Sequence, residues 1–293
     1  MQGKKKIKSL LFTQPWKIFI FEAFLFLLTL SFGIVNALRL KTLLKIKEAS
    51  ISPVSFWQFI IYFILATSII LLIILLGNKF KKGKIILFKG IFVFAIIFGG
   101  LVSLSLWIPD IFALILMVIL VFIWLQKPIV LVHNLAIILG IAGISTLGFS
   151  FSPENMILIL IVFSAYDYIA VFKTKHMVKM AKEMIEAQAI LGFILPQKIS
   201  DFLANLKEVR LPAEQVGGKF LILGGGDVAF PLIFCVSLIS SGILNSLIVA
   251  FYAFLGLFVN FLIFINQKAR KPIPALPLIA LFSIIGFFVT KLL

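Results

Sequence analysis

The chain has 293 residues, of which 62% are hydrophobic and only 13% are charged. This composition excludes an ordinary soluble domain, in which about half of the residues are apolar, and it predicts a polytopic membrane protein in a lipid bilayer. The formal charge of +16 does not indicate nucleic acid, because the Lys and Arg residues form short clusters between apolar runs. The single cysteine, Cys235, excludes an intramolecular disulfide framework.

Nine segments approach the roughly 20 apolar residues that a membrane span needs. The first is longer than the core of a cleaved signal peptide, so we predict that it is retained. The fold class is therefore all-α with nine transmembrane helices. The predicted spans are Ile18–Leu38, Ser55–Leu76, Ile85–Ile108, Phe112–Leu125, Ile129–Phe149, Pro153–Phe172, Phe220–Ser240, Ile243–Ile265 and Pro274–Leu293. The fourth is short, and eight spans remain an alternative.

These spans group into one integral membrane domain, with a six-span bundle at 1–172, a loop at 173–219 and a three-span bundle at 220–293. Lys and Arg concentrate in alternate loops, which predicts a cytoplasmic N-terminus, a cytoplasmic 173–219 loop and an external C-terminus in the cell membrane. The basic segment "LRLKTLLKIKEAS" on the outer side is amphipathic and is expected to lie along the interface. Methionines at helical spacing in "HMVKMAKEMIE" predict that the sixth span continues into the loop as an amphipathic helix.

Three acidic residues lie inside predicted spans, where an ionisable group is costly and normally faces a partner or an aqueous cavity. Glu22 is about one turn from Lys17, near the cytoplasmic edge, so an interfacial position explains it. Asp167, in "FSAYDYIAVF", and Asp227, in "LILGGGDVAF", have apolar residues on both sides. These two acids require another explanation.

Asp167 and Asp227 are predicted to lie at nearly the same depth. The sixth and seventh spans run in opposite directions, and the acids are about 9 Å and 12 Å from the cytoplasmic ends of their helices. Two close carboxyl groups cannot both ionise easily, so they share a proton. Aspartic proteases activate water with such a pair, in which the ionised group takes a proton and the protonated group polarises the scissile carbonyl.

The glycines before Asp227 favour a cavity beside it. Gly224, Gly225 and Gly226 let another backbone approach closely, and irregular backbone at this depth is tolerated where it lines a cavity or packs in protein. The alternative is a small-residue packing face, which leaves Asp227 unpaired. The letters G-x-G-x-x-A also match a dinucleotide motif, but the βαβ unit that such a site needs is absent from the predicted elements.

Three motifs occur in order on the sixth, seventh and ninth spans. They are "YD" at Tyr166 and Asp167, G-x-G-D at Gly224–Asp227, and "PAL" at Pro274–Leu276. With nine spans and a long loop after the sixth, the whole chain resembles the presenilin and signal-peptide-peptidase family of intramembrane aspartyl proteases, and its compact loops resemble the microbial homologues.

The resemblance implies an endopeptidase that hydrolyses transmembrane helices of single-span proteins, without a metal or other cofactor. It implies that Asp167 and Asp227 are catalytic, and that Pro274, Ala275 and Leu276 shape the site and engage substrate. The predicted orientation matches presenilin, so type I substrates are expected. Gly225 stands where eukaryotic members commonly carry a larger apolar residue, which bears on substrate preference. The chain is expected to act without partner subunits, and a homo-oligomer is left open.

Proline residues support this interpretation without the resemblance. Pro272, Pro274 and Pro277 prevent regular helix at the start of the ninth span, which leaves a backbone edge that an extended substrate can pair with. The alternative is an ordinary proline-rich helix start.

Rival functions rest on the same two acids. A secondary transporter or ion channel would use Asp167 and Asp227 as a proton relay, but transporters of that kind usually have two related halves, and we find no such repeat. Prepilin peptidases also carry G-x-G-D, whereas "PALP" favours the presenilin family.

Two other polar residues lie in predicted spans. His133 has no second ligand at metal-binding spacing. Asn260 in the eighth span is expected to hydrogen-bond within the bundle.

Overall fold

A computed structural model of the chain describes residues 15–77, 81–210, 219–267 and 272–293, with only the backbone described for 70–77, 81, 82 and 84. The described residues form ten α-helices and two β-strands. The helices are α1 Pro15–Ile46, α2 Phe56–Gly77, α3 Lys81–Ser105, α4 Asp110–Gln126, α5 Val130–Ile144, α6 Pro153–Tyr168, α7 His176–Glu186, α8 Gly225–Ser237, α9 Ile243–Ile265 and α10 Leu276–Leu292, and the strands are β1 Gly192–Pro196 and β2 Phe220–Gly224.

Nine of these helices coincide with the nine predicted apolar segments, and the tenth, α7, lies in the predicted loop. Within the described residues, five helical segments are long and apolar enough to cross a membrane. They are Pro15–Ile46, Ile85–Ser105, Val130–Ser150, Pro153–Lys173 and Ile243–Ile265. The other four, α2, α4, α8 and α10, count as shorter apolar helices over their described residues. The number of membrane crossings therefore stays a prediction.

Small residues bring α3 and α5 into close contact. Gly140 and Gly143 of α5 lie against Gly99 of α3, and a Cβ atom added at Gly143 would overlap the carbonyl oxygen of Gly99. The glycines of "LGIAGISTLG" therefore allow close packing of the two helices. Because lipid is as apolar as the helices themselves, close van der Waals packing of this kind is a main source of their association.

We expect Gly143→Ala to lower the free energy of unfolding by about 1–3 kcal/mol, because the added methyl group forces the two backbones apart. Thermal unfolding in detergent micelles measures the loss. Gly90→Ala is the matched control, since it lies on α3 with nothing within 4 Å of an added Cβ. Equal melting temperatures for the two variants would contradict this packing argument.

The basic end of α1 forms regular helix, since α1 continues without interruption to Ile46. The interfacial position of "LRLKTLLKIKEAS" stays a prediction. Arg39 Nε donates to the carbonyl oxygen of Leu106 (3.1 Å), just after α3, and Lys41 Nζ donates to that of Ile239 (2.9 Å), just after α8. Cations stabilise the unpaired carbonyls at helix C-termini, so these two residues have a packing role.

The sixth span was expected to continue into the loop as one amphipathic helix, and this expectation is wrong. After α6 the chain makes a π-helical turn at Ile169–Lys173, and Lys175 then adopts a left-handed conformation (φ 55°). This break separates α6 from α7. The amphipathic character of the predicted helix is retained in α7, whose Met180 and Met184 pack against the hydrophobic core.

A two-stranded antiparallel sheet precedes α8. β1 and β2 pair from Gly192 opposite Gly224 to Pro196 opposite Phe220. The all-α prediction missed this sheet, and the predicted seventh span was wrong at its start, since Phe220–Gly224 is a strand and the helix begins at Gly225. A short apolar run cannot be assigned to helix or strand by periodicity alone, which explains the error.

Two polar side chains of α5 hold the sheet in place. Asn134 Nδ2 donates to the carbonyl oxygen of Ile194 (2.8 Å), and its Oδ1 accepts from the amide of the same residue (2.9 Å). His133 Nε2 lies 3.0 Å from the carbonyl oxygen of Gly192, and its ring stacks on Phe92. β1 is therefore fixed to α5, and β2 is fixed through β1.

Candidate active site

Asp227 lies in the first turn of α8, at the point where β2 becomes helix. Gly224 is the N-cap residue, which makes Asp227 the third helical residue. Its carboxyl group is close enough to the Gly224 amide for a favourable electrostatic interaction, and an acidic side chain at this position can reach the N-cap amide as in a capping box. The Gly225 amide donates to the carbonyl oxygen of Leu191 (2.9 Å), so the turn is also held by the segment before β1.

The three glycines before Asp227 differ in how closely other atoms approach them. A Cβ atom at Gly225 would lie 3.0 Å from the Leu191 carbonyl oxygen, and one at Gly224 would lie 2.9 Å from Oδ2 of Asp227 itself. At Gly226 a Cβ atom would make ordinary contacts with the ring of Phe230, at 3.6 Å. The expected close approach of another backbone is therefore found at Gly225.

Asp167 lies near the end of α6 and is 6% exposed, and its Oδ2 has no hydrogen-bond partner among the described residues. The π-helical turn begins two residues later, at Ile169. Such turns are frequent at functional sites because they change the direction of side chains within a helix. Tyr166, the other half of "YD", is 47% exposed, and its hydroxyl lies 2.8 Å from His176 Nε2 at the start of α7.

The "PAL" motif forms the beginning of α10. Residues 272–274 are not helical, Ala275 is the N-cap residue and Leu276 is the first helical residue. The Leu276 amide is close enough to the carboxyl groups of both Asp167 and Asp227 for a favourable electrostatic interaction. The first amides of a helix have no partner within it and carry partial positive charge, so they suit negatively charged groups. Two helix N-termini, those of α8 and α10, thus converge on the two acids.

Asp167 and Asp227 line one cavity of about 230 Å³. Its wall includes Pro274 and Ala275, Gly224 with three preceding residues of β2, and Met177 of α7. Most other lining side chains are apolar. The two carboxyl groups are also close enough to interact electrostatically with each other. The cavity therefore places both carboxyl groups beside a mostly apolar wall.

Two further polar residues line this cavity, and their sequence interpretations were wrong. Glu22 is 3% exposed, so it is not an interfacial residue. Asn260 faces the same cavity, and its Oδ1 has no hydrogen-bond partner among the described residues, although bonding within the bundle was expected. Both residues stand in runs of phenylalanine and aliphatic residues, "FIFEAFLF" and "FVNFLIF". A polar residue within such a run is the sequence feature that could have indicated a place in the cavity.

The described residues contain no group of three or more His, Cys, Asp or Glu side chains that could hold a metal ion. The cavity wall offers carboxyl, amide and backbone groups instead. Its residues are therefore suited to proton transfer and hydrogen bonding with a peptide.

Comparison with known proteins decides the family. The model of the family described as signal-peptide peptidase, presenilin aspartyl protease matches residues 23–293. The chain belongs to this family. It is therefore an aspartic intramembrane protease and a multi-pass membrane protein, which confirms the resemblance read from the sequence.

Solved structures show the same fold. Two structures of a presenilin family intramembrane aspartate protease, in the C222 and P2 space groups, are similar to this protease with TM-scores of 0.58 and 0.57. Their sequences are 21% and 22% identical to it, and the alignments cover 94% and 92% of this chain and 97% and 96% of those chains. No curated protein sequence matches the chain significantly.

Proposed function

We propose that Asp167 and Asp227 are the catalytic pair of this protease and that they hydrolyse peptide bonds within transmembrane helices. The observation that carries the proposal is that both acids line one cavity and are close enough for their carboxyl groups to interact electrostatically. The amide of Leu276, at the start of α10, also lies near both carboxyl groups. One water molecule placed between the two carboxyl groups would be within reach of both.

The chemistry then follows that of two carboxyl groups sharing one proton. The ionised carboxylate takes a proton from water while the water oxygen bonds to the scissile carbonyl carbon, and the protonated carboxyl group gives its proton to the carbonyl oxygen. The resulting diol collapses as the C–N bond breaks. The leaving nitrogen takes a proton, a carboxylate recovers one from the diol, and the products are a new carboxyl terminus and a new amine.

The substrate segment has to be extended at the cleaved bond, because a helix buries its peptide groups in its own hydrogen bonds. β2 lines the cavity, and within the described residues one of its edges pairs with β1 while no strand covers the other. An extended substrate pairing with that edge would lead directly to Asp227. The non-helical residues 272–274 line the same cavity and form a second irregular stretch of backbone beside the acids.

The membrane arrangement belongs to the same proposal. Nine crossings, with a cytoplasmic N-terminus and an external C-terminus, are supported by nine apolar helices at the predicted positions and by the distribution of Lys and Arg. Under this orientation the substrates are single-span proteins of type I topology. The polar groups needed for hydrolysis all come from one chain, which supports activity without partner subunits.

A reconstituted assay tests the proposal. The purified chain in liposomes is expected to cleave a single-span type I reporter, and mass spectrometry is expected to place the cut inside the reporter's transmembrane segment. Proton flux is recorded in the same liposomes. Absence of cleavage together with a proton flux that requires Asp167 and Asp227 would replace hydrolysis with a transport function.

A further inference from the structure

The cavity contains two hydrogen-bond acceptors that the hydrolysis mechanism does not use. Glu22, on α1, and Asn260, on α9, both line it with the catalytic pair. They are 3% and 8% exposed, and neither Glu22 Oε2 nor Asn260 Oδ1 has a hydrogen-bond partner among the described residues. Glu22 is close enough to Asp227 for their carboxyl groups to interact electrostatically. These acceptors therefore lie beside the reacting groups.

Two other buried asparagines of the described chain have hydrogen-bond partners. Asn36 Nδ2 donates to Ser103 Oγ and its Oδ1 accepts from Trp107, and Asn134 makes two bonds to Ile194. A buried acceptor without a partner costs free energy, and in a native protein it calls for an explanation. At the wall of a substrate cavity, the missing donor is one that a bound ligand supplies.

The chemistry of the wall limits what that donor can be. Phe261, Phe264 and Ile222 line the same cavity and suit the apolar side chains of a transmembrane segment. A proton store for the catalytic pair would explain Glu22 alone, because the amide of Asn260 does not titrate. A recognition site for a hydrogen-bond donor explains both residues.

We propose that Glu22 and Asn260 form a specificity subsite that accepts a hydrogen-bond-donating side chain of the substrate next to the cleaved bond. The subsite rests on the proposed function of Asp167 and Asp227. Substrates would be selected for a single amide, hydroxyl or ammonium group within an otherwise apolar segment. A site built to hydrogen-bond a substrate group discriminates against the analogue that lacks it, because its own polar groups are then left unpaired.

The test is a set of single-span peptides that differ in one residue. A leucine is replaced by the nearly isosteric asparagine at each position flanking the cleaved bond in turn, and kcat/KM and the cut position are measured for each peptide. At one position the wild-type protein is expected to cleave the asparagine peptide about tenfold better than the leucine peptide. This preference, measured as the ratio of kcat/KM for the two peptides in the same variant, is expected to fall in Glu22→Leu and in Asn260→Leu and to vanish in the double variant.

Conservative variants separate recognition from packing. Glu22→Gln and Asn260→Asp each keep a carbonyl or carboxyl acceptor and are expected to keep most of the preference, which also covers the case in which the leucine variants fail to fold. Ser246→Ala removes a buried hydroxyl of α9 away from the cavity and is expected to change nothing. A wild-type protein without any position that favours asparagine overturns the subsite, and so does an equal loss for all peptides in the variants. Cleavage of the leucine peptide that still requires Asp167 and Asp227 would leave the proposed function standing in either case.

Discussion

Asp167→Asn and Asp227→Asn are each expected to lower kcat for the reporter by at least about 10³-fold, with the double variant no slower than the worse single variant. Asparagine keeps the shape of the side chain but can neither take a proton from water nor hold one for the carbonyl oxygen. Because the two carboxyl groups act as one unit, losing the second costs little once the first is gone. Initial rates in liposomes, compared at equal amounts of folded protein, give the values.

The control for this pair is Asp110→Asn, which removes an exposed acid at the start of α4, outside the cavity. It is expected to retain the wild-type rate. The melting temperatures of the Asp167 and Asp227 variants are expected to equal or exceed that of the wild type, since a neutral amide is easier to bury than a carboxylate. A tenth or more of the wild-type rate in either variant is incompatible with the proposed catalytic pair.

Asn134→Leu is expected to lower the free energy of unfolding by about 2–4 kcal/mol, because it leaves the amide and the carbonyl oxygen of Ile194 buried without partners. The effect should extend to catalysis. β1 would be released from α5, and β2, which leads into the turn that holds Asp227, would lose its fixed position. We therefore expect reduced reporter cleavage at temperatures well below the melting temperature, measured beside thermal unfolding in detergent.

Asn266→Leu provides the comparison, since Asn266 is an exposed residue whose side chain makes one bond to the carbonyl oxygen of Leu262. A surface change of this kind is expected to stay within about 0.5 kcal/mol. If Asn134→Leu also stays within that range, the α5 contacts do not hold the sheet.

Apolar length was enough to predict the positions of the helices, because a span is specified by some twenty residues acting together. Asp167 and Asp227 could be singled out because an acid surrounded by apolar residues costs free energy to place in a membrane. Their common cavity also followed from the antiparallel order of consecutive spans. These predictions use properties that each segment carries in its own sequence.

The errors have the opposite origin, since they depend on contacts between distant segments. Phe220–Gly224 reads as the start of a helix until it is known that β1 lies beside it. Glu22 was assigned to the interface from its nearness to Lys17, although its side chain points to a cavity built by other helices. Asn260 was expected to pair within the bundle, and nothing local to α9 indicates that the cavity would reach it. The π-helical turn after α6 could not be predicted either, because its sequence, Ile169–Lys173, contains no proline or glycine.

The paired ends of β1 and β2 have a consequence for how this family can vary in size. The chain leaves the sheet at Pro196 and returns at Phe220, and these two residues are partners in the ladder. The distance between them is thus set by the sheet and does not depend on how many residues connect them. Extra sequence in the connection between the two strands would add to the entropy of closing it, which grows slowly with length, without moving Asp227. A change in the length of this connection is therefore compatible with one fixed catalytic geometry.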